Sequence, residues 1–97
     1  MKSLKPIGEL LKKFIANRKL KQRLNEAQAI MKWSEATGEK ISENTMPVRV
    51  KDGVLFVSVK DSIWLHELNR LKPSIIENVN KSVGHKTIRD IKFFLKY

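Results

Sequence analysis

A chain of 97 residues has room for one modest core, because either half alone would bury too little apolar surface to offset the entropy of ordering it. The hydrophobic fraction of 41% is that of a folded protein, yet no run approaches the roughly 18 apolar residues of a transmembrane helix, and Gly8, Glu9, Lys12 and Lys13 interrupt any signal-peptide core; one cytoplasmic domain, residues 1–97, with no membrane role is expected. Twenty Lys and Arg against ten Asp and Glu give a net charge of +10, the absence of cysteine excludes disulfides and thiolate chemistry, and two histidines are too few for a usual metal centre, so no cofactor is expected.

The charge is unevenly placed. Residues 1–32 carry Lys2, Lys5, Lys12, Lys13, Arg18, Lys19, Lys21, Arg23 and Lys32 against Glu9 and Glu26, a side-chain net of +7, and the remaining 65 residues hold only +3. Residues 1–19 of this block form a basic N-terminal helical segment. Such a block attracts polyanions over a Debye length of about 8 Å, nucleic acid foremost among them, although the same charge also serves plain solubility.

In chain order, Ile7, Leu10, Leu11, Phe14 and Ile15 recur at the spacing of one helix face and predict a helix from Pro6 to Ala16. Leu20, Leu24, Ala27 and Met31, with Ile30 beside them, predict a second helix that reaches toward Thr37 and stops at Gly38 in a left-handed cap; the two are either separate or one bent helix. Trp33, near that stop, is expected inside. The polar stretch Glu39 to Asn44 reads as a loop.

A β-hairpin follows, Met46 to Lys51 and Val54 to Lys60 around Asp52-Gly53, a pair suited to a two-residue turn with positive φ at both positions. That turn sets Val50 opposite Leu55 and Val48 opposite Val57. Alternation then sends Val48, Val50, Leu55, Val57 and Val59 to the core, and Arg49, Lys51, Val54, Phe56, Ser58 and Lys60 to the other face. Asp61 or Ser62 caps a third helix carrying Trp64, Leu65, Leu68, Leu71, Ile75, Ile76 and Val79 on its apolar face, with a kink or restart expected at Pro73 and an end by Gly84. Lys86 to Leu95, with Ile91, Phe93 and Leu95 at alternate positions, reads as a third strand.

This order makes an α+β domain whose helices cover one face of a three-stranded sheet, and it resembles a type II KH domain. Lys72-Pro73-Ser74 stands where KH domains carry the glycine-rich loop that clamps a nucleic-acid backbone, so clamping of that kind is not expected. Catalysis is not expected either. His66 and Glu67 are helix neighbours about 100° apart and read as surface groups, His85 reads as a loop histidine, and no phosphate loop, nucleophile elbow or metal-ligand spacing is present.

Candidate nucleic-acid contacts are Lys12, Lys13, Arg18, Lys19, Lys21 and Arg23, which meet phosphates without reading sequence. Phe56, between Arg49 and Lys51, is placed to stack on an unpaired base, or else lies covered by the N-terminal helices or a second copy. Trp64, in the first turn of the third helix at the flank of its apolar stripe, suits either an interface anchor or core packing.

The Trp33 to Gly38 spacing, Ile41, Thr45, Pro47, Asp52-Gly53-Val54-Leu55 with Val57 and Val59, Asp61-Ser62-x-Trp64-x-x-Glu67-Leu68, Val83-Gly84 and Ile88-x-x-Ile91-x-Phe93 together resemble a DciA-type protein over residues 20–95. The resemblance implies a KH-like bacterial replication factor, without nucleotide-hydrolysis site or small-molecule substrate, that contacts the replicative DnaB-type helicase and helps place it on DNA at initiation. It implies that Trp64, with Glu67 and Leu68 of the same motif, meets the helicase. DNA, single-stranded or forked and of low sequence specificity, is the expected nucleic acid, met at the nucleoid. Many such proteins add a disordered tail; this sequence ends just past its last strand, and the basic N-terminal block is expected to stand in for it. The alternative on the same surfaces is a KH-like RNA-binding or ribosome-associated domain.

Overall fold

The computed structural model describes residues 5–96, except for the side chains of 5–7, 14 and 15. The elements are α1 (Lys5–Ala16), α2 (Arg18–Met31), α3 (Trp33–Thr37), α4 (Glu39–Glu43), β1 (Thr45–Lys51), β2 (Val54–Val59), α5 (Ser62–Val83) and β3 (Asp90–Leu95). Ile7, Phe14 and Ile15, expected on the apolar face of the first helix, and the charges of Lys2 and Lys5 lie outside the described side chains.

The first two helices are separate. Asn17 leaves helical geometry at φ −79°, ψ 109°, and its Oδ1 accepts the Leu20 N–H at 3.2 Å, capping α2 with a group that competes with helix continuation. The second helix does not run through to Gly38. It ends at Met31, and α3 restarts after Lys32. Gly38 has positive φ but extended ψ (89°, 165°), a region open essentially to glycine alone, so it is not the left-handed cap expected. Nor are residues 39–43 a loop: α4 forms one helical turn there, anchored by Ile41 against the core, with Ser42 Oγ donating to Glu39 O at 3.1 Å.

The hairpin turn has the anticipated geometry, φ 52° at Asp52 and 78° at Gly53. The positive φ favours glycine at 53, and a Cβ there would also come within 3.1 Å of the Arg89 side chain, which would have to shift by a few tenths of an ångström. Val50 pairs with Leu55 as read from the turn, but Pro47, not Val48, pairs with Val57. Val48 is the extra residue of a β-bulge and is 50% exposed, so its expected core position is corrected. The reason is local: Pro47 has no N–H for the ladder, and edge strands accommodate it at bulges.

The sheet order is β1-β2-β3, with β1 and β2 antiparallel and β2 and β3 parallel, so α5 serves as the crossover that parallel pairing requires. The strand begins at Asp90, later than expected, because the segment before it is held by another group. Asn80 Oδ1 accepts the N–H groups of Thr87 (3.0 Å) and Ile88 (2.8 Å), and its Nδ2 donates to Ile88 O at 2.8 Å. Helix α5 is capped by Asp61 and closed by Gly84 in left-handed geometry, φ 85°, ψ 7°. It passes Pro73 without a restart; Pro73 and Asn69, whose carbonyl loses its N–H partner, are both exposed.

One cluster forms the core: Leu55, Val57 and Val59 of β2, Leu68, Ile75, Val79 and Val83 of α5, Ile88, Ile91, Ala29 and Trp33. This is an α+β architecture with a three-stranded mixed sheet, consistent with a small KH-like domain. The face that α2 presents to the core differs from the reading of its pattern. Ala29 is fully buried and Ile30 packs against the core, whereas Leu24 and Ala27 are exposed and Met31 is 79% exposed. The buried face continues into Trp33, four residues after Ala29, and the small alanine lets α2 lie close to α5, which it contacts.

Candidate partner and nucleic-acid interfaces

The N-terminal end of α5 is built from its cap outward. Asp61 Oδ1 accepts the Trp64 N–H at 2.9 Å, which fixes the first turn and with it the indole. Trp64 is partly buried against the core, while Ile63 beside it is 81% exposed. With Ser62, His66 and Glu67 they line a shallow, mostly apolar depression of about 490 Å³. Trp33 Nε1 donates to Thr45 Oγ1 at 2.9 Å; among the described residues the Trp64 indole makes no such bond. Ile63 was not anticipated, although an isoleucine off the helical stripe next to a tryptophan is a signal of an apolar surface.

Glu67 lies at the rim of this depression, its carboxylate held by Arg70 one helical turn away. The hydrogen bond from Arg70 lowers the Glu67 pKa, outweighing the upward effect of desolvation. Leu68 has a different place from that expected of it. It is fully buried, one of the α5 side chains in the core cluster, and therefore packs inside instead of reaching a partner.

The basic residues of the N-terminal helices divide by face. Arg18, Lys21, Gln22 and Asn25 lie on one side of α2 and, with His85, Lys86 and Thr87 from the loop after α5, line a polar cleft of about 400 Å³. His85 is the loop histidine read from the sequence and Lys86 was not a candidate contact; only the return of that loop to α2 brings them to the cleft. Lys19 and Arg23, four residues apart, project from another side of the helix. Lys12 and Lys13 are exposed on α1. Among the described residues only Arg70 and Lys72 enter ion pairs, so the domain's own acidic groups do not neutralise these cations.

On the sheet, Arg49 and Phe56 are direct cross-strand partners, and the Arg49 guanidinium carbon lies 4.8 Å from the Phe56 ring centroid. Lys51 stands two residues along on the same face. Phe56 is partly exposed, between the buried Leu55 and Val57. Lys72, Pro73 and Ser74, at the position of the KH-type clamp, lie within the unbroken α5 and form no loop. His66 and His85 are both exposed, and among the described residues no three His, Asp or Glu side chains converge as a metal ion would require. No helix of the described residues is long and apolar enough to cross a membrane.

Comparison with known proteins gives a consistent result. Residues 6–93 match the family model described as "Dna[CI] antecedent, DciA". Among similar proteins are UPF0232 proteins of Mycobacterium tuberculosis (strain ATCC 25618 / H37Rv), 25% identical over 87 residues, and of Rhodococcus jostii (strain RHA1), 23% identical over 87 residues. Each alignment covers 90% of this chain and 46% of the relative, so the chain spans about half the length of the curated relatives it matches. A UPF0232 protein of Mycolicibacterium paratuberculosis (strain ATCC BAA-968 / K-10) is 23% identical, with 48% of its length covered. With a family model matched from the first helix into the last strand, this chain belongs to the DciA family.

Proposed function

We propose that this chain is a non-enzymatic replication factor that binds the replicative DnaB-type helicase and DNA and helps load the helicase at initiation, in the cytoplasm at the nucleoid. Membership of the DciA family carries the reading. The N-terminal end of α5 supports it: Trp64, fixed by the Asp61 cap beside the exposed Ile63, offers the half-buried aromatic with adjoining apolar surface on which protein interfaces are commonly centred. Glu67 borders that surface as a charged rim. Lys12, Lys13, Arg18, Lys19, Lys21 and Arg23, and Arg49, Lys51 and Phe56 on the sheet, supply contacts to DNA in which phosphates set affinity and little sequence is read.

The test is co-elution with the cognate helicase. Wild-type chain is expected to associate, and Trp64→Ala, verified as folded by circular dichroism, to lose at least about tenfold in affinity, the scale of a hot-spot residue. Failure of the wild type to associate, or undiminished binding by the folded variant together with Ile63→Ser, overturns the assignment of this surface.

A further inference from the structure

Strand pairing assembles a surface from residues that lie far apart in the chain. On the sheet face away from the core, Arg49, Phe56 and Lys92 form one row across all three strands. The next row is Met46, Ser58 and Phe94, in which Met46 and Phe94 are exposed, Phe94 to 40%. Phe56 and Phe94 are thus diagonal neighbours on adjacent strands, within mutual reach of aromatic side chains. Lys51 adjoins the first row, and Lys60 and Lys96 surround a shallow depression with Met46 and Ser58 beyond the second.

The chemistry of this face selects its occupant. Five cations, Arg49, Lys51, Lys60, Lys92 and Lys96, surround two aromatic rings, against Glu43 at one rim and Asp52 in the hairpin turn at the other; Asp90 is already engaged by Lys72 at 3.5 Å. Rings on a flat sheet bordered by cations are what successive unpaired bases require: a stacking partner for each base and a counter-charge for each phosphate. A duplex offers only its phosphates, since its bases are already stacked. The guanidinium carbon of Arg49 lies 4.8 Å from the Phe56 ring centroid, and in the proposed complex this exposed side chain turns from the ring to a phosphate as a base stacks there.

We propose that the open sheet face is a stacking platform for single-stranded DNA, with Phe94 and Phe56 carrying bases and Lys92, Arg49 and Lys96 carrying the backbone. The proposal rests on the DNA-binding reading above and gives it a strand preference and a site separate from α1 and α2. Lys92 and Phe94 join the candidate residues by register, and Lys96 by the depression it lines with Met46 and Ser58.

Fluorescence anisotropy of the full chain with labelled oligo(dT), the same length of duplex, and oligo(U) tests it. Phe94→Ala is expected to weaken oligo(dT) binding about tenfold, to leave duplex binding within about twofold, and to keep the salt dependence unchanged, because no charge is removed. Phe56→Leu serves as a second, volume-sparing variant, with thermal melts establishing that both fold. Photocrosslinking of 5-iodouracil-substituted DNA should map to residues 54–59 or 90–96. Oligo(dT) binding unchanged in both folded variants, or losses confined to oligo(U) or to helicase association, overturns the stacking face while leaving the α1–α2 contacts standing. A wild-type chain that binds no DNA overturns both.

Discussion

The two tryptophans show how neighbours decide what a residue does. Trp33 has its ring in the core and its indole N–H satisfied by Thr45 Oγ1, which itself donates to Ile41 O at 2.7 Å, so removal of Trp33 would leave a cavity and take away one of the two bonds that hold this hydroxyl. Trp64 is held at the edge by a cap that acts on its backbone alone. Glu67, three residues on, gives a titration test. The Arg70 guanidinium hydrogen-bonded to it keeps its carboxyl below the ordinary 4.5. A lowered pKa in the folded state means that the pair's contribution is present above the unfolded value and is lost as pH falls through the folded one. Carboxyl-carbon NMR should place the Glu67 midpoint below 4.5 in the wild type and return it toward 4.5 in Arg70→Ala; equal midpoints in the two proteins would contradict the pairing.

At the level of elements, α5 carries the most. It supplies four core side chains, bridges β2 to β3, and presents the candidate partner surface at its N-terminus. Asp61 ties these roles together through a single side-chain acceptor. Asp61→Ala should cost about 1 kcal/mol, seen as a lower midpoint in urea or thermal denaturation, whereas Asp61→Asn, which keeps a capping oxygen, should cost far less. The Ala variant should also bind helicase more weakly than its small stability loss explains, because the first turn that positions Trp64 frays. Equal stability of the two variants would show that the Asp61 to Trp64 bond contributes nothing in solution. At the other end of α5, Asn80 gives both ends of its amide to residues 87 and 88, which delays the third strand until Asp90.

Across the whole molecule, cations of the described residues gather on two surfaces, the side of α2 that faces Lys86 and the open sheet. The side of α2 that forms the cleft with His85 and Lys86 gathers cations; the side bearing Lys19 and Arg23 does not share that cleft. Replacing Arg18 and Lys21 with Gln should therefore flatten the dependence of log K on log salt for DNA binding by about 0.7–0.9 for each phosphate no longer neutralised. The Lys19→Gln and Arg23→Gln pair, with the same change in net charge, should flatten it less. Identical slopes for the two pairs would mean that total charge, not its placement, governs the affinity.

Much of this protein is written locally. The Asp52-Gly53 turn, the Asp61 and Gly84 caps, the alternation of Ile91, Phe93 and Leu95, and the burial of Trp33 all follow from residues a few positions apart, because backbone conformation and face alternation are short-range properties. The motif that marks the family is likewise a pattern along the chain. Tertiary packing alone decided the rest. The α2 pattern offers two usable faces, Leu20 to Met31 and Ala29 with Trp33, and proximity to α5 selected the smaller one. A polar turn became α4 because Ile41 docks on the core. The meeting of Arg49, Phe56 and Lys92 depends on β2 lying between an antiparallel and a parallel neighbour, and no local signal carries that order, since hydrogen-bonded strands pair across the length of an intervening helix.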